Sequence, residues 1–395
     1  MKRLFATLLI VALVAAMFAI PASAETTGSP LGADTDEVVT VTKELTLTKY
    51  EADKTEIPNL TFTFDLTIPT TGLPVEGTAS KLPVYAGLTG STLDSSYTVS
   101  FATGDISGTA GNEKTFDIDF SGVDFPRPGI YRYALKEQAN TNSAVFASEG
   151  AATPTSPITY DDADYFLDVY VEKVETTDNT VDPPVTTSDY KVTNAVLYLQ
   201  SDPDNTITRD DAADQSVYAD VQKVDRIVND YDNYDLKLTK TVSGAAADMA
   251  KKFEFTIEFE NGPIDTTLKG QTTIDGTAAD ITVTFDADGK ATYTVNLGHE
   301  DSIEFWSLPE GTTYTITETL SALDDATYVT TFDGTEANST TGDMAADKEI
   351  ACVNDAPALT PTGLFLSYGP YVLIVAAAAA LAVIFLKKRN HADEF

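Results

Sequence analysis

The sequence has little of what most covalent and metal sites are made from. Its 395 residues contain one cysteine, Cys352, two histidines and one tryptophan. A single thiol excludes an intramolecular disulfide, and two histidines exclude a histidine-rich metal centre. Basic residues are also scarce: 25 Lys and Arg face 61 Asp and Glu, a formal charge of -36. A surface of that sign repels phosphate backbones and anionic membranes, so no nucleic acid is expected as a partner. Asp202-Pro203-Asp204-Asn205 and Asp210-Asp211 offer oxygen donors for Ca²⁺, but without EF-hand spacing, and no metal is assigned. His299 lies in the turn-like Gly298-His299-Glu300-Asp301, with neither a nucleophile elbow nor a zinc motif beside it. No enzyme acting on an external substrate is expected, and no cofactor.

The two ends are addresses. Lys2 and Arg3 precede an apolar run over residues 4–20, and Ala22 and Ala24 are the small residues a signal peptidase accepts, so residues 1–24 read as a signal peptide. Residues 364–386 form an uncharged apolar run longer than the ~20 residues a helix needs to span a bilayer. Lys387, Lys388 and Arg389 follow, which leaves a tail, residues 387–395, in the cytoplasm and the preceding chain outside. Just before the span stands Leu359-Thr360-Pro361-Thr362-Gly363. This resembles the Leu-Pro-any-Thr-Gly signals cut by sortases of Gram-positive bacteria, with Thr where Pro is usual. The resemblance implies cleavage between Thr362 and Gly363 and transfer of the Thr362 carboxyl to an amine. Trimming both ends leaves a product still more acidic than the precursor, which favours solubility on a crowded exterior.

Hydrophobic residues make up 43% and aromatics 10%, enough for real cores, and the length suits two or three domains. Thr, Val, Tyr and Phe alternate with polar residues in short runs bounded by Gly, Pro, Asn and Asp, and no long amphipathic helix interrupts them. The expected class is all-β, with two tandem immunoglobulin-like sandwiches. A weak repeat marks them. Val41-Thr42-Lys43-Glu44-Leu45 and Thr61-Phe62-Thr63-Phe64 answer to Leu238-Thr239-Lys240-Thr241-Val242 and Phe253-Glu254-Phe255-Thr256. The stretch from Pro128-Gly129 to Lys136-Glu137 answers to that from Pro309-Glu310 to Thr317-Glu318, and each half closes on Asn, at Ile227-Val228-Asn229 and Cys352-Val353-Asn354. The domains are placed at 35–232 and 235–356, hinged near residues 230–235. A loop is expected around residues 176–188, where Asp182-Pro183-Pro184 forbids a central strand.

Strand side chains alternate faces, which puts three polar residues on the apolar side of each half. Lys240 shares a face with Leu236, Leu238 and Val242; Glu318 with Tyr314, Ile316 and Leu320; Asn354 with Cys352. In the first half the set is Lys43, Glu137 and Asn229, with Lys49 and Asn233 as rivals at two of the positions. Buried charges must pair or become neutral. A desolvated Lys is an amine nucleophile and a desolvated Glu stays protonated, so the pair can polarise the Asn carbonyl and pass protons while the amine attacks. Ammonia leaves, and a Lys–Asn isopeptide bond joins the first strand to the last. The amide is a poor electrophile; proximity and orientation can contribute ~7–11 kcal/mol.

With these residues in place, the chain resembles the backbone pilins of Gram-positive bacteria, the streptococcal pilin isopeptide-linkage family with Cna-B-type domains. The motifs that carry the likeness are Leu238-Thr239-Lys240-Thr241-Val242-Ser243-Gly244, Leu308-Pro309-Glu310-Gly311 through Glu318, and Val353-Asn354. The resemblance implies a Lys240–Asn354 bond with Glu318 as acid, and a Lys43–Asn229 bond with Glu137 as acid. It further implies a wall-anchored pilus shaft subunit. Its partners would be a pilus-type sortase, identical subunits and peptidoglycan. An exposed Lys near the end of the first domain would accept Thr362; Lys223 is nearest that place, with Lys191 as rival. The alternative is an accessory pilin or adhesin that holds a host ligand.

Overall fold

The computed structural model describes residues 31, 37–70, 73–77, 82–147, 155–178, 185–199, 222–358, 370–379 and 381. The chain divides into two compact units, with the boundary between Asp232 and Asn233; Asp53–Glu56 and Phe146–Thr155 group with the second.

The first unit is built from β1 (Val38–Leu47), β2 (Leu60–Thr67), β3 (Val84–Ala86), β4 (Ser96–Phe101), β5 (Asn112–Asp119), β6 (Gly129–Glu137), β7 (Ile158–Thr159), β8 (Asp164–Asp178), β9 (Val185–Leu199), β10 (Gln222–Val224) and β11 (Arg226–Tyr231). One sheet runs β5-β1-β11-β7; the other runs β10-β9-β8-β6-β2-β4, with β3 added to β6. Period-two patterning explains the layers. In β2, Leu60, Phe62, Phe64 and Leu66 are buried while Thr61, Thr63 and Asp65 are only partly covered; in β6, Tyr131, Tyr133, Leu135 and Glu137 point inward. The β8–β9 ladder reaches further than the proline-based expectation, with Thr177 opposite Thr186 and Asp178 opposite Val185. Threonines suit the pleat and extend the pairing toward the turn, while Asp182-Pro183-Pro184, between the two strands in sequence, lies outside the described residues.

The second unit comprises β12 (Asn233–Ser243), β13 (Phe253–Glu260), β14 (Thr267–Ile274), β15 (Thr277–Thr284), β16 (Ala291–Leu297), β17 (Ser302–Pro309), β18 (Thr313–Thr319), β19 (Val329–Phe332), β20 (Thr335–Glu336), β21 (Ser339–Asp343) and β22 (Lys348–Asp355). Its sheets run β15-β14-β17-β12-β22-β19-β20 and β16-β13-β18-β21. Between them Leu238, Phe255, Ile257, Phe259, Phe305 and Ile316 form the core. A single helical turn, Ala322–Asp325, starts at Ser321, whose hydroxyl accepts from the Asp324 N–H.

Both units share one topological feature. The first strand and the last are neighbours and run parallel: β1 beside β11, and β12 beside β22. Since parallel neighbours cannot be joined by a tight hairpin, the rest of each sandwich lies between them in sequence.

Residues 370–379 and 381 are helical and exposed. The remainder of the expected span at 364–386 lies outside the described residues, as do the signal peptide, the motif at 359–363 and the tail at 387–395. Among the described residues no helix is long and apolar enough to cross a membrane.

Candidate functional site

In the first unit, register brings the polar residues together. Lys43 on β1 lies opposite Ile227 of β11, and Leu45 lies opposite Asn229. Lys43 and Asn229 are thus diagonal neighbours on one face, and Glu137 reaches them from β6 in the opposing sheet. The Lys43 Nζ donates to Glu137 Oε2 at 2.8 Å, and Asn229 Nδ2 donates to Glu137 Oε1 at 2.5 Å. Lys43 is 0% exposed and Asn229 1%. The rings of Phe62 and Phe64 lie 5.1 and 5.8 Å from the Lys43 nitrogen and exclude water from it.

Burial holds the Lys43 amine below its ordinary pKa, against the pull of the Glu137 charge. The same burial lifts Glu137 above the usual carboxylate range, with Lys43 opposing. Each shift moves the pair toward a neutral amine beside a neutral acid.

The second unit repeats the arrangement with the roles of its sheets exchanged. Lys240 lies opposite Cys352 and Val242 opposite Asn354, both pairs in the seven-stranded sheet; Glu318 comes from β18 in the four-stranded one. Lys240 Nζ is 2.8 Å from Glu318 Oε1, and Asn354 Nδ2 donates to that same oxygen at 2.9 Å. The Lys240 ammonium or amine also donates to Cys352 Sγ at 3.3 Å. Burial pushes that thiol up to about 12, so Cys352 serves as a small core group and not a reactive one. Phe253 and Phe255 flank Lys240 at 4.7 and 5.4 Å.

The rival residues lie elsewhere. Lys49 is partly exposed and pairs with Glu51 at 3.6 Å, and Asn233 belongs to the second unit, where it donates to Ser307 Oγ at 3.4 Å. Lys223 stands on β10, an edge strand, opposite Tyr198 of β9, while Lys191 pairs with Glu37 at 3.1 Å.

One chemical detail differs from the sequence-based expectation. Glutamate was expected to bond the Asn carbonyl, but in both units it meets the amide nitrogen. In the first unit the orientation is fixed because Asn229 Oδ1 accepts the backbone N–H of Asp161 at 2.8 Å, and only an oxygen can accept there. In the second unit the Thr330 hydroxyl lies 2.9 Å from Asn354 Oδ1 and 3.0 Å from Glu318 Oε2. Glutamate therefore faces the amide nitrogen of each asparagine and not its oxygen.

Sequence reading also passed over the aromatic walls. The signal was present: Phe62-Thr63-Phe64 and Phe253-Glu254-Phe255 occupy matching places in the repeat, and cross-strand pairing sets Phe64 opposite Glu137 and Phe255 opposite Glu318. Thr330 and the Asp161 amide had no comparable signal.

Residues 39–198 match the family described as the Spy0128-like isopeptide containing domain, and residues 234–356 match a domain of unknown function, DUF7601. A pilin of Streptococcus pyogenes serotype M1 is 27% identical over 375 residues, covering 89% of this chain and 91% of the relative. The pilus tip adhesin Cpa of Streptococcus pyogenes is 35% identical over 133 residues, 33% of this chain but 18% of its own length. The crystal structure of the major pilin from Streptococcus pyogenes aligns with a TM-score of 0.51 at 22% identity, covering 82% of this chain and 100% of that one; it shares the fold.

Proposed function

We propose, for a chain that belongs to the pilins through its Spy0128-like isopeptide containing domain at residues 39–198, that it is a structural subunit of a covalently polymerised cell-surface pilus. A pilus-type sortase joins its Thr362 to a lysine of the next identical subunit, Lys223 being the acceptor, and the last subunit passes to peptidoglycan. Each unit carries an autocatalytic isopeptide bond, Lys43–Asn229 and Lys240–Asn354.

The observation that carries this reading is the twofold occurrence of a dry Lys–Glu–Asn cluster across the first and last strands. Two independent buried ion pairs would add little over apolar packing, whereas two reactive clusters have a purpose. The neutral amine attacks the Asn Cγ, Glu takes a proton from the attacking nitrogen and returns one to the departing Nδ2, and NH₃ leaves. Sandwich folding alone assembles these groups, so the bond needs no external enzyme.

Intact mass spectrometry of residues 25–362 tests the reading. Each bond removes ammonia, so two bonds lower the mass by about 34 Da. Glu318→Ala should leave a loss of about 17 Da, carried by a branched Lys43–Asn229 peptide. An unshifted wild-type mass would overturn the proposal.

A further inference from the structure

Both clusters contain a group that the Lys–Glu–Asn chemistry does not account for, and it occupies the same place in each. Asn229 and Asn354 stand on the last strand, whose inner neighbour is the lysine strand. Its outer neighbour is β7 in the first unit and β19 in the second. From that outer side a single donor meets the amide oxygen. In the second unit it is Thr330, directly opposite Asn354 in the β19–β22 ladder and 3% exposed. In the first, Asp230 pairs with Thr159, so the residue facing Asn229 is Tyr160, and the donor is the next backbone N–H, that of Asp161.

We propose that these donors form an oxyanion hole for isopeptide formation, and that Thr330 is a further catalytic residue of the second unit, an inference that rests on the cross-linking reading above. Attack on Cγ moves the carbonyl electrons onto Oδ1, and a donor already 2.8–2.9 Å away stabilises that charge without reorganisation in a site closed to water.

Proton counting gives Thr330 a second task. Its hydroxyl has one hydrogen and lies within bonding distance of two oxygens. Thr330 can donate to either oxygen, and in the reactive arrangement, where Glu318 serves as the acid, its hydrogen points to Asn354 Oδ1 and the Glu318 Oε2–H donates to Thr330 Oγ1. The three groups make a relay, Glu318 Oε2–H to Thr330 Oγ1–H to Asn354 Oδ1. On attack, Oδ1 takes the threonine proton, Thr330 takes that of Oε2, and Glu318 Oε1 receives a proton from the Lys240 nitrogen. On collapse, the Cγ–Nδ2 bond breaks, Nδ2 takes the Oε1 proton, and the Oδ1 proton returns through Thr330 to Oε2. The products are one amide and one NH₃, with Glu318 and Thr330 restored. The first unit has the oxyanion donor but no relay, because a backbone amide does not exchange its proton on this path.

The test uses the full chain recovered unfolded from inclusion bodies, refolded, and sampled over time for the two branched tryptic peptides, Lys43–Asn229 and Lys240–Asn354. Protection of the Cys352 thiol from alkylation reports that the second unit has folded. Thr330→Val should slow Lys240–Asn354 formation by about 10²–10³-fold, the usual loss for one oxyanion donor, and leave the Lys43–Asn229 rate unchanged. Because Val tests shape and hydroxyl together, Thr330→Ser and Thr330→Ala are compared as well: both lack the methyl, and only Ser keeps the relay. Ser forming the bond at least tenfold faster than Ala, both with Cys352 protected, supports the proposal. Equal rates for Ser and Ala, or an equal slowing of the first unit, overturn it. Absence of both branched peptides from the wild-type chain instead overturns the cross-linking reading itself.

Discussion

A lysine amine and a carboxylic acid exchange one proton, and the number they hold together decides how the chemistry responds to pH. Burial lowers the Lys43 amine and raises the Glu137 carboxyl, each opposed by the charge of the other. Unfolded, the same groups hold one proton between their ordinary values of 4.5 and 10.5, as Lys⁺ and Glu⁻. The lowered lysine alone would add stability as pH rises toward 10.5, and the raised glutamate alone would remove it as pH rises above 4.5. Between those two values the slopes oppose each other, the glutamate acting from the acid end and the lysine from the basic end. Because burial draws Lys43 toward the neutral amine and Glu137 toward the neutral acid, the rate of Lys43–Asn229 formation on first refolding should rise by far less than tenfold per pH unit below the ordinary lysine value of 10.5. Time-resolved mass measurements at unit pH steps check this. A tenfold rise per pH unit would mean that lysine must first be deprotonated by solvent.

At the scale of strands, the cluster depends on register, because a one-residue slip would carry Asn354 to the opposite face. Hydroxyl–carboxylate pairs one step further along hold that register in both units: Thr46 donates to Asp230, and Ser243 Oγ donates to Asp355 Oδ1 at 2.7 Å. Gly244 closes the second. Its φ is +99°, and an added Cβ would lie 2.1 Å from the carbonyl oxygen of Ala356, whose N–H bonds Ser243. Gly244→Ala must therefore pry β12 from the end of β22. It should destabilise the unlinked Glu318→Ala protein by more than about 1 kcal/mol in urea denaturation, the usual cost where Ala meets a positive φ. An unchanged midpoint would show that register is set elsewhere. This scale also marks where sequence stops being legible. Alternation alone put Lys43, Glu137, Lys240 and Glu318 on inward faces, since period two is a local property. Which strand lies beside which is not local: the outer position of β19 brings Thr330 to Asn354 across 24 residues of chain, and nothing in the Tyr-Val-Thr-Thr pattern around it reports that. The aromatic walls fall between, visible in the repeat yet assigned a role only once β2 and β13 are seen beside the glutamate strands.

At the scale of the whole molecule, the consequence is mechanical. With Thr362 of one subunit joined to Lys223 of the next, tension would enter on β10, just before the last strand of the first unit, and cross the second unit from its first strand to its last. Because β12 and β22 are parallel neighbours, pulling on the start of one and the end of the other shears the ladder between them along its length. Hydrogen bonds there, each contributing about 1 kcal/mol net, cannot hold a sustained load. The proposed Lys240–Asn354 bond would carry the load directly from strand to strand and leave the chain between these residues unstretched. Closing a loop of roughly 100 residues could also stabilise the unit by about 5 kcal/mol through its unfolded state, but resistance to forced opening is set by the barrier, which would then include a covalent bond. Single-molecule pulling separates the two states. The unlinked Glu318→Ala second unit, spanning residues 234–356, should lengthen by roughly 400 Å in one step, at 3.3–3.6 Å per extended residue, and the linked wild type should show no such step. The Glu137→Ala chain should behave likewise for the first unit alone, with the second still inextensible. A 400 Å step in wild type would mean that force bypasses the linkage, and the role of load-bearing subunit would have to be given up.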